Sequence, residues 1–128
     1  MTKRLRGPVG RLLLAAALLA PAGAALAHHS YAMFEMDKTI SLQGTVTRFK
    51  WQNPHAFIEL DAAVKGKTEH WAIEMTSPNN LANEGWKRTW LKAGDKVTVK
   101  VHPLRDGSQG GSYVAVRKAD GATLGEWK

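Results

Sequence analysis

The strict alternation of apolar and polar side chains at residues 96–102 (KVTVKVH) is the strongest constraint on the fold of this chain. A period of two is typical of a β-strand with one buried face, and it places Val97, Val99 and Val101 together on the inner face. Less regular runs predict four more strands, at residues 39–51, 56–62, 68–75 and 112–118. The chain is therefore predicted to be mostly β.

The segment between the third and fourth predicted strands lacks this alternation. Ser77 is suited to be the N-cap of a helix, Pro78 is suited to its first turn, and Gly85 is suited to its C-terminal end. These residues therefore predict a short helix in this segment. Three strands, a short helix and two strands is the element order of the OB-fold, so we predict an all-β chain that forms a small five-stranded OB-like closed barrel. Gly44, inside the first strand, predicts a bulge or a sharp bend. An open β-sandwich is the alternative.

The first 27 residues have the pattern of a secretory signal peptide. Basic residues precede an apolar run at residues 12–20, Pro21 interrupts the run, and Ala25 and Ala27 supply the small residues that precede a cleavage site. A membrane anchor is the alternative, but spanning a bilayer takes roughly 20 apolar residues and this run is shorter. We expect cleavage after Ala27 and a periplasmic or secreted product with no stable membrane insertion.

This cleavage divides the chain into a signal peptide (1–27), an N-terminal arm (28–38) and a barrel domain (39–128). It lowers the formal net charge from +7 to +3, because residues 1–27 carry four basic residues and no acidic one. Export and the modest remaining charge lead us to predict a metal ion or an envelope protein as partner, and no nucleic acid. The sequence has no Cys, which excludes disulfides and thiolate metal sites. It also has no recognisable catalytic constellation, so no enzyme activity is predicted.

The predicted cleavage makes His28 the first residue of the mature protein. A free α-amine has a pKa of about 7.7–8.0 and an imidazole about 6.5, so both offer a nitrogen lone pair near neutral pH and together chelate one metal ion. Nitrogen donors suit Cu(II), and the thioethers of Met33 and Met36 suit Cu(I). With His29 adjacent, these residues predict copper as a cofactor, with Zn(II) and Ni(II) as competitors. Solvated histidines and packing methionines are the alternative.

A folded ligand is needed to complete such a site, and His55 is the best candidate. It follows Asn53 and Pro54 at the corner between the first two strands, where proline restricts the residue before it to an extended conformation. A structural His55 that bonds to backbone at this corner is the alternative. His70 and His102 are predicted to be structural or solvated.

Two other groups of residues have a structural interpretation. Glu74 is predicted to form an ion pair or a cap, with a ligand role as the alternative. Large aromatic side chains usually fill a core. We expect this of Trp51, Trp71, Trp86 and Trp90.

Several segments together resemble a large family of secreted bacterial proteins known only as a domain of unknown function. They are HHS at residues 28–30, GTVTRFKWQNPHAFIEL, WAIEMTSPNNL and LKAGDKVTVKVHPLRDGS. The resemblance covers residues 28–124. It implies an envelope location and a single small β domain, and it carries no assigned activity.

A looser resemblance is to the small periplasmic copper and silver chaperones, which are OB-like barrels that hold Cu(I) with His, Met and a nearby Trp. The resemblance implies that His55 and Met75 are Cu(I) ligands and that Trp71 is the nearby Trp. A more remote resemblance is to copper enzymes that bind metal through an N-terminal His. The candidate metal ligands are therefore His28, His29, His55, Met33, Met36 and Met75. The alternative function is a metal-free periplasmic binding or scaffold module for a protein, lipid or glycan.

Overall fold

The computed structural model describes residues 31–127, which include six strands and one short helix. In chain order they are β1 (Ile40–Lys50), β2 (Phe57–Val64), β3 (Lys67–Glu74), α1 (Pro78–Asn83), β4 (Lys96–Pro103), β5 (Gly110–Lys118) and β6 (Thr123–Gly125). The predicted signal peptide and the candidate ligands His28 and His29 lie outside the described residues.

A parallel pairing closes the sheet into a barrel. Antiparallel neighbours give the strand order β3-β2-β1-β4-β5-β6, and β3 also pairs with β5, from Ala72 opposite Gly110 to Glu74 opposite Ser112. Strands β1 to β5 thus form a closed ring in which each strand has two neighbours. The prediction of a closed five-stranded OB-like barrel is confirmed, and the open sandwich is excluded.

Strand β1 is long because it pairs with β2 and β4 over overlapping parts of its length. Gly44 lies in the overlap and pairs with both Ala62 of β2 and Val97 of β4. A Cβ atom at Gly44 would collide with the backbone carbonyl oxygen of Asp61, so the close approach of the two strands requires glycine. The predicted irregularity in β1 is present as a register shift between Val46 and Arg48.

The core is formed by the inward faces of the strands. The alternation predicted for β4 is confirmed, since Val99 and Val101 are fully buried and Val97 is 6% exposed. The core also takes in the aromatic side chains predicted for it. Trp71 and Trp86 are buried, and Trp51 and Trp90 are partly buried against the same cluster.

Helix α1 is short and has a defined beginning and end. The side chain of Ser77 accepts a hydrogen bond from the backbone N–H of Asn80 at 3.3 Å, and Pro78 occupies the first turn. Gly85 follows the helix with a φ of 93°, which favours glycine. These are the signals that predicted the helix, and its buried Leu81 fixes it to the core.

The two ends of the described chain pack on β4 and β5. Residues 31–38, called here the N-terminal segment, bury Phe34 in a β-bridge with Leu104. The N–H of Glu35 donates to the carbonyl of Pro103 at 2.9 Å, so this part of the predicted arm lies against the barrel. Strand β6, which the sequence did not predict, pairs with β5. Across the described residues, no helix is both long and apolar enough to cross a membrane.

Candidate functional site

A groove of about 650 Å³ lies where the N-terminal segment, the ends of β3 and β4, and strands β5 and β6 meet. Tyr31, Phe34 and Met36 line it from the N-terminal segment. Histidine, carboxylate and hydroxyl groups complete its lining, among them His55, Glu74, His102, Ser112 and Tyr113. The groove therefore combines an apolar wall with side chains that can bind a metal ion or donate hydrogen bonds.

His55 is held in the groove by two oxygen atoms. Its Nδ1 lies 2.9 Å from the backbone carbonyl oxygen of Met75 and 2.9 Å from Oε1 of Glu74. A carbonyl oxygen only accepts hydrogen bonds, so Nδ1 carries a proton, and the neutral form of the ring then has its lone pair on Nε2. The predicted backbone bond at this corner is confirmed. It is also the arrangement in which metal-binding histidines are usually oriented.

The structure brings together three of the six candidate metal ligands. His55, Met36 and Met75 all line the groove; Met36 is 43% exposed and Met75 is buried. Met33 is 49% exposed and lies outside the groove lining. Whether these side chains bind a metal stays a prediction.

His102 also lines the groove, which the sequence did not indicate. Its Nδ1 lies 2.7 Å from the backbone carbonyl oxygen of Lys38, so this ring too is protonated on Nδ1 and keeps a lone pair on Nε2. The sequence feature that could have indicated this position is the alternation in β4, which places His102 on the face opposite the buried Val101. The contact with Lys38 joins residues far apart in the sequence, and no local pattern encodes it.

His70 and Glu74 have the roles predicted for them. The side chain of His70 is 57% exposed, and its Nδ1 lies 2.9 Å from Oδ1 of Asp61, away from the groove. Glu74 forms its ion pair with His55. Within residues 31–127, no group of three or more His, Asp or Glu side chains is placed to hold a metal ion. The described part of the chain does not by itself complete a metal site.

Tyr113 lines the groove and packs against Trp86 of the core. Tyr113 lies 5.5 Å from Trp86 between ring centroids, in an edge-to-face arrangement. Burial raises the pKa of Tyr113 to about 12. In the described chain, the Tyr113 hydroxyl and Nε1 of Trp86 are buried without a hydrogen-bond partner of good geometry.

The described chain is thus a small closed β-barrel of the OB type, and its groove is lined in part by the N-terminal segment and by the end of β6. The chain belongs to DUF6152, a family of unknown function whose match spans residues 16–115. The predicted resemblance to a domain of unknown function is confirmed. Comparison with curated proteins gave no match.

Among solved structures, the chain is similar to a mitochondrial single-stranded DNA-binding protein from S. cerevisiae. The identity is 12%, the TM-score is 0.47, and the match covers 66% of this chain and 97% of the other. This finding corrects our exclusion of nucleic acid from the partners. At this TM-score the likeness supports no binding proposal of its own.

Proposed function

We propose that the chain is exported, is cleaved after Ala27, and binds copper in the groove through His28 at its new N-terminus. The basic, apolar and A-x-A pattern of residues 1–27 supports export to the periplasm or beyond. The proposed role is copper buffering or delivery, because three of the candidate ligands line one groove and no catalytic constellation is recognisable in the sequence.

One observation carries the proposal, namely the fixed orientation of His55. Its Nδ1 is within 2.9 Å of both the Met75 carbonyl and the Glu74 carboxylate, so Nε2 is the nitrogen left to bind a metal. A hydrogen bond donated by the remote ring N–H to a carboxylate raises the basicity of the ligating nitrogen and fixes the orientation of the ring.

Chain length allows His28 to reach the groove. Tyr31 lines the groove and lies three residues after His28. An extended chain spans about 3.3–3.6 Å per residue, so the first residue of the mature chain is at most about 11 Å from Tyr31. The proposal therefore places its amine and imidazole near the groove lining to which Tyr31 and His55 both belong.

These donors fit copper in both oxidation states. The amine and Nδ1 of His28, with Nε2 of His55, supply nitrogen donors of the kind Cu(II) prefers. The thioethers of Met36 and Met75 are soft donors that suit Cu(I). His29 is an alternative nitrogen donor next to the terminal chelate.

The test is a Cu(II) titration of the processed protein against a competing chelator, followed by EPR. A matched protein with one Ser added before His28 keeps every side chain but converts the amine into an amide. We expect the added residue and His55→Gln each to lower the affinity by about tenfold or more. Equal affinities in all three proteins would overturn the proposal, as would a secreted form that begins at another residue.

A metal-free binding module is the second candidate, and the size of the groove favours it. A volume of about 650 Å³ lies within the range of about 300–1,000 Å³ that is typical of small-ligand sites. Tyr31 and Met36, which line it, are large apolar side chains that are exposed to solvent. Capture of a protein, lipid or glycan that is indifferent to chelators would favour this candidate, and single-stranded DNA belongs among the probes.

A further inference from the structure

We propose that a second groove, on the outer face of the barrel, binds an acidic oligosaccharide whose carboxylates are held by Lys96 and Arg117. This groove has a volume of about 740 Å³ and is lined by residues of β1, β2, β4 and β5 together with Thr68 of β3. In the described chain it shares no lining residue with the groove that contains His55. The inference therefore does not depend on the proposed copper site.

The first argument is the register of the sheet, which gathers polar side chains on one face. Thr45 of β1 pairs with Lys96 of β4, and two residues further along β4, Thr98 pairs with Arg117 of β5. Paired residues share a face of the sheet, and so do residues two apart in one strand. Lys96 and Arg117 are thus diagonal neighbours about 7–8 Å apart, a spacing that long side chains bridge. One acidic group between them can accept hydrogen bonds from both.

The second argument is that both cations are oriented before any ligand binds. Nζ of Lys96 donates to Oγ1 of Thr45 at 2.6 Å, which uses one of its three N–H donors. Cζ of Arg117 lies 4.1 Å from the ring centre of Trp127, a cation–π contact that orients a guanidinium with five N–H donors. Side chains ordered in advance lose less conformational entropy when they bind an anion.

The charge of the lining is the third argument. Lys96, Arg117 and Lys118 line the second groove with a single carboxylate, that of Asp61. This carboxylate lies 2.9 Å from Nδ1 of His70, on the β3 side and away from the two exposed cations of β4 and β5. The described lining of the first groove has three carboxylates and no Lys or Arg. An anionic ligand is therefore expected to bind in the second groove and not in the first.

The uncharged lining residues indicate the class of anion. Among the described lining residues none is aromatic, whereas single-stranded nucleic acids are bound by stacking on aromatic rings. Large apolar side chains that would insert into a membrane are also missing from the exposed part of this lining. The groove instead offers small residues that leave space and polar side chains that bind hydroxyls, which are Gly44, Ala63, Ala119, Gln43, Thr45, Thr68 and Thr98. An acidic saccharide carries carboxylates for the cations and hydroxyls for the polar side chains.

The test is a calorimetric titration of the protein with trigalacturonic acid, a linear acidic trisaccharide. Maltotriose is the uncharged trisaccharide for comparison and should bind much more weakly. We expect Lys96→Gln and Arg117→Gln each to lower the affinity for the acidic saccharide by about fivefold or more. Arg88→Gln is the matched control, because it removes the same charge at an exposed position outside both grooves. It should leave the affinity unchanged.

Three results would overturn the proposal. Equal binding of maltotriose would show that the cations do not select the ligand, and equal losses in all three variants would show an effect of net charge alone. A single-stranded oligonucleotide with the same net charge that binds more tightly, and loses affinity in the Lys96 and Arg117 variants, would replace the saccharide as the ligand. Each of these results leaves the proposed copper site standing, because that site is measured by EPR and by other variants.

A second measurement covers the case in which a variant does not fold. Amide NMR of the wild-type protein, titrated with trigalacturonic acid, reports the position of binding directly. Resonances of residues 43–45, 96–98 and 117–119 should shift, while those of His55 and Glu74 should stay in place. Shifts confined to the first groove, or no shifts at all, would refute the assignment of the ligand to the second groove.

Discussion

Nδ1 of His55 and Oε1 of Glu74 lie 2.9 Å apart, in contact between the corner before β2 and the last residue of β3. The carboxylate is 23% exposed, so this contact is partly protected from solvent. The contact orients the imidazole of His55 in the groove and joins the corner before β2 to the end of β3.

Glu74→Gln is expected to weaken copper binding without unfolding the protein. The amide keeps the shape of the side chain but removes the charge that makes Nε2 of His55 a better donor, which typically costs about 10- to 100-fold in affinity. Competition titration of the processed protein measures the change. Glu59→Gln is the control, because Glu59 forms its ion pair with Lys50 and lies outside the groove. Equal losses in the two variants would contradict the orienting role.

Phe34→Ala is expected to release the N-terminal segment from the barrel. Phe34 is 3% exposed and bridges to Leu104, and truncation of a buried Phe typically costs about 3–5 kcal/mol. Hydrogen exchange should accelerate at the N–H groups of Glu35 and Arg105, which bond across this contact. Copper affinity should fall as well, since the segment leads to His28.

The control for this release is Met33→Ala. Met33 is next to Phe34 in sequence but 49% exposed, so its truncation should leave amide exchange unchanged. Faster exchange in the Met33 variant alone would show that Phe34 is not the anchor.

Gly44→Ala is expected to destabilise the barrel strongly. The new methyl group would collide with the backbone carbonyl of Asp61, and backbone in a paired strand cannot move without breaking the pairing. Overpacking of this kind costs about 1–3 kcal/mol or more in the free energy of unfolding. Urea denaturation measures it. Gln43→Ala, at the exposed neighbouring position, should stay within about 0.5 kcal/mol of the wild type.

Alkaline pH should destabilise the protein through Tyr113. Its pKa is raised to about 12 in the folded state by burial, against an unfolded value of about 10. The unfolded chain therefore loses this proton first, and the stabilisation present below pH 10 is lost as the pH rises toward 12. We expect a loss of about 1–2 kcal/mol after allowance for partial exposure of the ring.

Tyr113→Phe provides the comparison for the pH dependence. Urea midpoints between pH 9 and 11.5 should fall less steeply in this variant than in the wild type. At neutral pH the variant should be close to the wild type in stability or slightly above it, because the buried hydroxyl lacks a well-oriented partner among the described residues. Parallel pH profiles for the two proteins would exclude a buried phenol as the cause.

Local patterns were enough to predict the fold. The alternation in β4, the capping residues Ser77 and Pro78, and the order of the elements all act over a few residues, and together they gave the closed barrel. Strand β6 was missed because three residues ending in Gly125 are too few to show a period.

The candidate site was predicted only in part. His55 was identified because the proline before it places it at a corner. Met75, which directly follows β3, was identified from the resemblance to copper chaperones. His102 makes a structural contact of the kind predicted for it, with the Lys38 carbonyl, but its place in the groove lining depends on segments that meet only in the folded chain. The exclusion of nucleic acid from the partners rested on export and on net charge, and net charge describes the whole chain and not any one face of it.

Strand β5 is the neighbour of both β3 and β4, so its absence would leave two open edges at once. A nascent chain that ends before Gly110 already contains four of the five barrel strands but offers unpaired N–H and C=O groups on both sides. Such edges are templates for pairing with other chains. Ribosome-bound or truncated forms of this protein should therefore depend on chaperones until almost the last strand has been synthesised.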